Sequence, residues 1–182
     1  MTWRTDHLNV EYSQYYLCEW GSLPDPEEIP RIPRGNTLAG AGSGYLTIMS
    51  GTHSGYIALA IECRDNEPPQ DFKAWESVVD VSHHSEKGIM FPLLWAGDTL
   101  REAGNLARKG PGWYRIRIHT RGRDEGRQLS AVPELPDYPV EDHLITIWPA
   151  PPKNEKVHKI EDQYGLKSWD PSRSAAPPVY PG

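Results

Sequence analysis

A chain of 182 residues with net charge −6 and mean hydropathy −0.64 is one domain of ordinary size, since single cores become usual at ~100 to 200 residues, and it is too polar to carry a membrane span. Hydrophobic residues still make up 37% of it and include seven Trp and nine Tyr, which excludes a chain disordered throughout. Eighteen Pro and 16 Gly exclude a helical bundle by breaking helices every few residues, and the acidic balance repels nucleic acid, excluding a dedicated DNA binder.

Residues 7 to 18 place Leu8, Val10 and Tyr12 on one face with the period of two that marks a half-buried strand, and the alternation slips near Ser13 as at a bulge. Residues 20 to 43 hold four prolines and four glycines without periodicity and read as a long surface loop. Tyr45 to Ser50 and Tyr56 to Cys63 read as a hairpin turned by GTHSG, with Leu46, Ile48, Ile57, Leu59 and Ile61 facing inward. Residues 74 to 82 form the next strand, with Val79 and Val81 inside, and 88 to 93 a shorter one. The one helix is expected over 98 to 109, where Leu100, Ala103, Leu106 and Ala107 share a face, Asp98 can cap and Gly110-Pro111 stops the run. Residues 113 to 120 alternate strictly, with Ile116 and Ile118 inside, and 142 to 149 are apolar on both faces, which suits a central strand. The sum is an all-β fold: an antiparallel β-sandwich of about seven strands with one short connecting helix, spanning residues 1 to 150. Residues 151 to 182 lose the pattern and read as an extended Pro-rich tail.

Chemistry-bearing constellations are sparse. Of the seven His, none forms the i, i+4 pair of a metalloprotease helix; separate strands could still assemble a zinc or copper site, for example from His119 with His143 on the last two strands, against the plainer reading of exposed sheet histidines. No G-x-S-x-G elbow is present, and AGAGSG at 39 to 44 precedes a strand where a phosphate loop must follow one. Cys18 and Cys63 are too few for a disulfide framework or a thiolate site and read as small core residues, and the first residues, MTWRTDHLNVEYSQ, contain no apolar stretch of signal-peptide length, so a cytoplasmic protein is expected. No cofactor or metal is expected.

The most informative array is Arg115, Arg117, His119, Arg121 and Arg123, every second residue from a strand into the following turn. On one face they would stand ~6 to 7 Å apart, a spacing that suits the carboxylates or phosphates of a partner. The plainer reading is a solvated face neutralised across the sheet by Glu62, Glu76 or Asp80. Acidic groups gather at Asp25, Glu27 and Glu28 in the long loop and at Glu134, Asp137, Glu141 and Asp142 before the last strand. They would mimic phosphates toward a nuclease, or simply keep loops solvated. The tail ends in Pro177-Pro178-Val179-Tyr180, the form of a proline-rich ligand and also a common chance match.

The opening Val10-Glu11-Tyr12-Ser13-Gln14, the segment from Gly44 to Ile61, Trp75-Glu76 leading into Val79-Asp80-Val81, Gly88-Ile89, Gly112-Trp113-Tyr114-Arg115-Ile116-Arg117 and Leu144-Ile145-Thr146-Ile147-Trp148-Pro149-Ala150 together resemble the competence protein J family over about residues 8 to 150. That family includes inhibitors of a DNA-uptake nuclease. The resemblance implies a binding protein rather than an enzyme, and carries over no catalytic residue. The expected function is a protein-binding module, an inhibitor or immunity-like partner of a nuclease or toxin, contacting it through Arg115, Arg117, His119, Arg121, Arg123, Glu27 and Glu28, with no direct nucleic-acid or membrane contact. Two other classes stay open: an assembly subunit whose Pro-rich loop and tail wrap neighbours, and a small-ligand or metal-binding sandwich enzyme that uses His119, His143 and the arginine row.

Overall fold

The computed structural model describes residues 1–24, 33, 35–129 and 138–174. In chain order they form β1 (Thr2–Glu11), β2 (Gln14–Glu19), β3 (Ala39–Gly42), β4 (Tyr45–Met49), β5 (Ser54–Cys63), β6 (Ser77–Ser85), β7 (Met90–Leu93), β8 (Gly112–Arg121), α1 (Arg123–Leu129), β9 (Asp142–Pro149), β10 (Lys156–Ile160) and α2 (Gln163–Ser168), with single 3-10 turns at Arg101–Ala103 and Pro171–Arg173. The molecule is β-rich, as expected, but its strands join one ten-stranded sheet in the order β10-β6-β8-β9-β5-β1-β2-β4-β3, with β7 on β2, in place of a seven-stranded sandwich.

A corner in the sheet accounts for the difference. Tyr12 and Ser13 both take left-handed backbone conformations (φ 55° and 59°), uncommon for residues with a side chain, and turn the chain sharply between β1 and β2. Residues 50–53 turn beside them: the Ser13 N–H donates to the His53 carbonyl (3.0 Å) and the Ser50 N–H to the Ser13 carbonyl (2.9 Å). The sheet therefore curls across this line, with β10-β6-β8-β9-β5-β1 on one wing and β7-β2-β4-β3 on the other. One hydrophobic cluster fills the space between them, drawing Leu17, Leu46 and Ile48 from the smaller wing and Leu8, Ile57, Leu59, Ile61, Val79, Val81, Ile116, Ile118 and Ile147 from the larger.

The hairpin expected over 45 to 63 does not form. β4 pairs with β2 and β3, whereas β5 pairs with β1 and β9. GTHSG is a corner rather than a reversal, because the N–H groups of Gly51 and Thr52 are taken by the Glu141 carboxylate (2.9 and 2.8 Å) and the Arg123 backbone leaves no room for a side chain at Gly51. β9 holds the central position its two apolar faces suggested, antiparallel to β8 but parallel to β5, so the sheet is mixed.

The helix expected over 98 to 109 shrinks to the 3-10 turn. Ala103, Leu106 and Ala107 are still buried and Leu100 partly so, but Gly104 at φ 71° ends the turn, and the Asn105 side chain replaces helical bonds by accepting from the N–H groups of Met90 (2.9 Å) and Ala107 (3.0 Å) and donating to the Gly88 carbonyl (2.9 Å). Beyond residue 150, β10 adds to the edge of β6, and buried Asp162 caps α2 by accepting from the Gly165 N–H (2.6 Å) while pairing with buried Arg123 (3.1 Å). Residues 156 to 173 are therefore a strap of short elements tied to the sheet, not an extended tail; the Pro177–Tyr180 motif lies outside the described residues. Leu59 packs in the common core, and Leu59→Ala should cost ~2 to 5 kcal/mol of unfolding free energy in a urea titration; an unchanged midpoint would remove it from the core.

Candidate partner-binding surface

The expected cationic row is a buried array. On β8, Arg115, Arg117 and His119 are all buried, as is Arg123 at the start of α1. The cause is a pair of segments laid over this face of the sheet. Residues 64–76 cross from β5 to β6, where Pro68 and Pro69 offer their carbonyls to Arg117 Nη1 (3.3 and 3.4 Å), and Phe72 faces the guanidinium at 5.3 Å opposite Trp148, also at 5.3 Å. Residues after β9 cover Arg115, which donates to the carbonyls of Lys153 (3.0 Å) and Asn154 (3.3 Å) and to Ser82 Oγ (2.9 Å).

Asp80 on β6 is the common counter-ion. Its carboxylate accepts from Arg117 Nε (2.7 Å) and Nη2 (3.0 Å) and lies 3.9 Å from Arg115 Nη2 and 3.0 Å from His158 Nε2 on β10. Burial alone would raise its pKa, but Arg117 and His158 outweigh that and hold it below the ordinary aspartate value. Of the other residues expected to neutralise the row, Glu62 instead pairs with Arg64 (2.7 Å) and Glu76 accepts from the Gly122 N–H (2.9 Å). Arg121 alone of the row is exposed, and it is paired with Asp142 (2.7 Å). Glu27 and Glu28 lie outside the described residues.

His119 and His143 do not converge. His119 lies beneath Phe72 and Trp75 (6.0 and 5.3 Å between rings) and pairs in register with Leu144, while His143 points to the inner side. There it contacts the Tyr15 hydroxyl (3.0 Å) and the Glu141 carboxylate (2.8 Å), and Glu141 also accepts from the Thr52 hydroxyl (2.8 Å). The Tyr–His–Glu series has the form of a proton relay, but all three side chains are sealed from solvent. Burial and then Glu141 push the Tyr15 hydroxyl well above its usual pKa. The arrangement braces the corner. Among the described residues no group of three or more His, Cys, Asp or Glu side chains is placed to hold a metal ion, and Cys18 and Cys63 are free thiols, the first pushed up to about 12 by burial and then by Glu19.

The open chemistry lies on the outer side of the smaller wing. Tyr12 (57% exposed), Trp20 (41%), Leu23 (70%), Ile89 (41%) and Trp95 (42%) all emerge there. The left-handed turn throws Tyr12 outward onto Trp95, 4.5 Å between rings. The Trp20 N–H is held by the Ile89 carbonyl (2.8 Å), its ring meets Phe91 at 5.8 Å, and the Arg101 guanidinium covers it at 4.4 Å. Beside Trp20 and Leu23 opens a pocket of about 360 Å³ lined also by Cys18, Phe91, Leu93 and Thr99, among others. Sequence reasoning missed this surface: its aromatic residues sit one by one at strand ends and turns, where no periodicity flags them, and the surplus of Trp over Phe was the single usable signal.

No protein-family model and no curated protein matches the chain. The fold is nevertheless that of a group of solved β-proteins, matched over nearly their whole length. One is ComJ, inhibitor of the DNA degrading activity of NucA, from Bacillus subtilis: 15% identical, covering 82% of this chain and 98% of that one at a TM-score of 0.56. Crocagin biosynthetic gene J is another, 13% identical over 83% of this chain and 98% of its own, with a TM-score of 0.52. The resemblance to the competence protein J family read from the sequence is thus met at the level of the fold.

Two outcomes test the buried groups. Asp80→Asn leaves buried guanidinium charge without its counter-ion and should lower stability by ~3 to 5 kcal/mol in chemical denaturation; a loss under ~1 kcal/mol, the range of exposed pairs, would deny Asp80 its central place. Burial lowers the pKa of His83, and likewise of His119, to about 4, whereas in the unfolded chain each titrates near ~6.5. The unfolded state then binds more protons between these values, so stability should fall as the pH drops from ~6.5 to ~4. Among the described residues neither ring nitrogen of His83 has a hydrogen-bond partner, so His83→Leu should fold and shallow that decline; an unchanged slope of Tm against pH would contradict the assignment.

Proposed function

We propose that this chain is a non-enzymatic protein-binding module that inhibits a DNA-degrading nuclease. The carrying observation is the aromatic surface of the smaller wing: exposed Trp, Tyr, Leu and Ile side chains, with Trp20 and Leu23 lining a preformed pocket, have the composition of a protein interface rather than of ordinary surface. Two further points support the reading. The nearest approach to a catalytic series, Tyr15–His143–Glu141, is closed to substrate, and the fold is shared with a protein that inhibits a nuclease.

Titrating the purified chain into a NucA-type nuclease digesting DNA should stop digestion near an equimolar ratio. Undiminished digestion under a large molar excess, across nucleases of this type, would end the reading. Trp95→Ala should weaken inhibition by about 1 to 2 kcal/mol, as loss of an interface anchor does, and leave Tm within a degree or two because the indole is exposed.

A further inference from the structure

We infer that the aromatic surface docks on the cationic DNA-binding groove of its nuclease, so that the chain and the DNA exclude one another. The inference rests on the reading above and adds the chemistry of the opposing face. Four carboxylates border the surface: Glu11 beside Tyr12, Glu86 on the turn into β7, Asp98 on the loop that carries Trp95, and Glu102 on the 3-10 turn that presents Arg101. None of these carboxylates has an ion pair or hydrogen bond among the described residues. The two cations on the same border are both engaged with Trp20: Arg101 covers its ring at 4.4 Å, and the Lys87 ammonium donates to its carbonyl (3.0 Å).

Elsewhere several carboxylates at the surface are matched, as Glu62 is by Arg64, Asp65 by Lys109, Asp142 by Arg121 and Glu161 by Lys159. The smaller wing thus sets exposed aromatic side chains beside four carboxylates that outnumber the two cations of Arg101 and Lys87. A surface lined with Lys and Arg to hold phosphates is the complement: guanidinium groups stack on Trp and Tyr faces and take carboxylates with two parallel hydrogen bonds. Like charge turns acidic partners away from the same border.

The experiment uses the full chain and the nuclease it inhibits. These carboxylates make no ion pair or side-chain hydrogen bond among the described residues, so E11Q/E86Q/D98N/E102Q should keep the wild-type Tm. At ~0.05 M salt its inhibition constant should rise about tenfold or more, and the gap should narrow toward ~0.5 M, where screening shortens the range of the interaction. Raising the DNA concentration should relieve wild-type inhibition competitively. The single reversal Asp98→Lys, on an exposed loop, should weaken binding in the same salt-dependent way. Equal inhibition by the fourfold variant and the wild type at low salt, or inhibition that excess DNA does not relieve, overturns the inference while leaving the inhibitor reading in place. Failure of the wild type to inhibit any such nuclease overturns both.

Discussion

A single buried carboxylate, that of Asp80, decides how the larger wing is covered. It faces two guanidinium groups on the strand to one side and an imidazole on the strand to the other. An arginine cannot be buried as a neutral group, so Arg115 and Arg117 require acceptors on every side, and one carboxylate cannot supply them all. The rest come from backbone carbonyls of Pro68, Pro69, Lys153 and Asn154 and from Glu67. The segments that carry these carbonyls have no regular structure, and it is the cations beneath them that fix their course. The wing is thus covered by coil held by charge, where an α/β protein would use a helix held by apolar contact.

The inner side follows the opposite logic. There the core is apolar until it reaches the corner, where Glu141 satisfies two backbone N–H groups that the bend leaves without strand partners, and His143 and Tyr15 complete its shell. Two wings at an angle can share one core only if the strands crossing between them turn within a few residues. That turn needs left-handed residues at 12 and 13 and a buried acceptor opposite them. The same turn, seen from outside, is what lifts Tyr12 onto Trp95. Brace and binding surface are two sides of one bend.

Period-two patterning made most strands legible: Leu46, Ile48, Ile57, Leu59, Ile61, Val79, Val81, Ile116, Ile118 and Ile147 all lie in the core that the alternation assigned. What could not be read was which strand pairs with which. GTHSG has the residues of a hairpin turn, and only Glu141, 90 residues from Gly51, makes it a corner. The arginine row failed for a related reason. Alternation says that Arg115, Arg117 and His119 share a face, and they do; whether solvent or another segment meets that face depends on residues 64 to 76 and 150 to 160, whose role as cover leaves no local signature. The aromatic surface lay in turns, where side-chain direction follows from backbone geometry that sequence does not display.

The parallel pairing of β5 with β9 has a consequence for how the molecule is made. β5 stands between β1 and β9, so a nascent chain that has delivered β1, β2, β4 and β5 still has one bare edge of β5, flanked by Ile57, Leu59 and Ile61, and waits for residues 142–149 before it is sealed. Contacts so distant along the chain form slowly, and on a ribosome adding ~5 to 20 residues per second the open edge persists for seconds. During that interval the small outward residues Ala58 and Ala60 leave the edge without steric protection, and the charged ends Glu62 and Arg64 are the nearest guards against pairing with another chain.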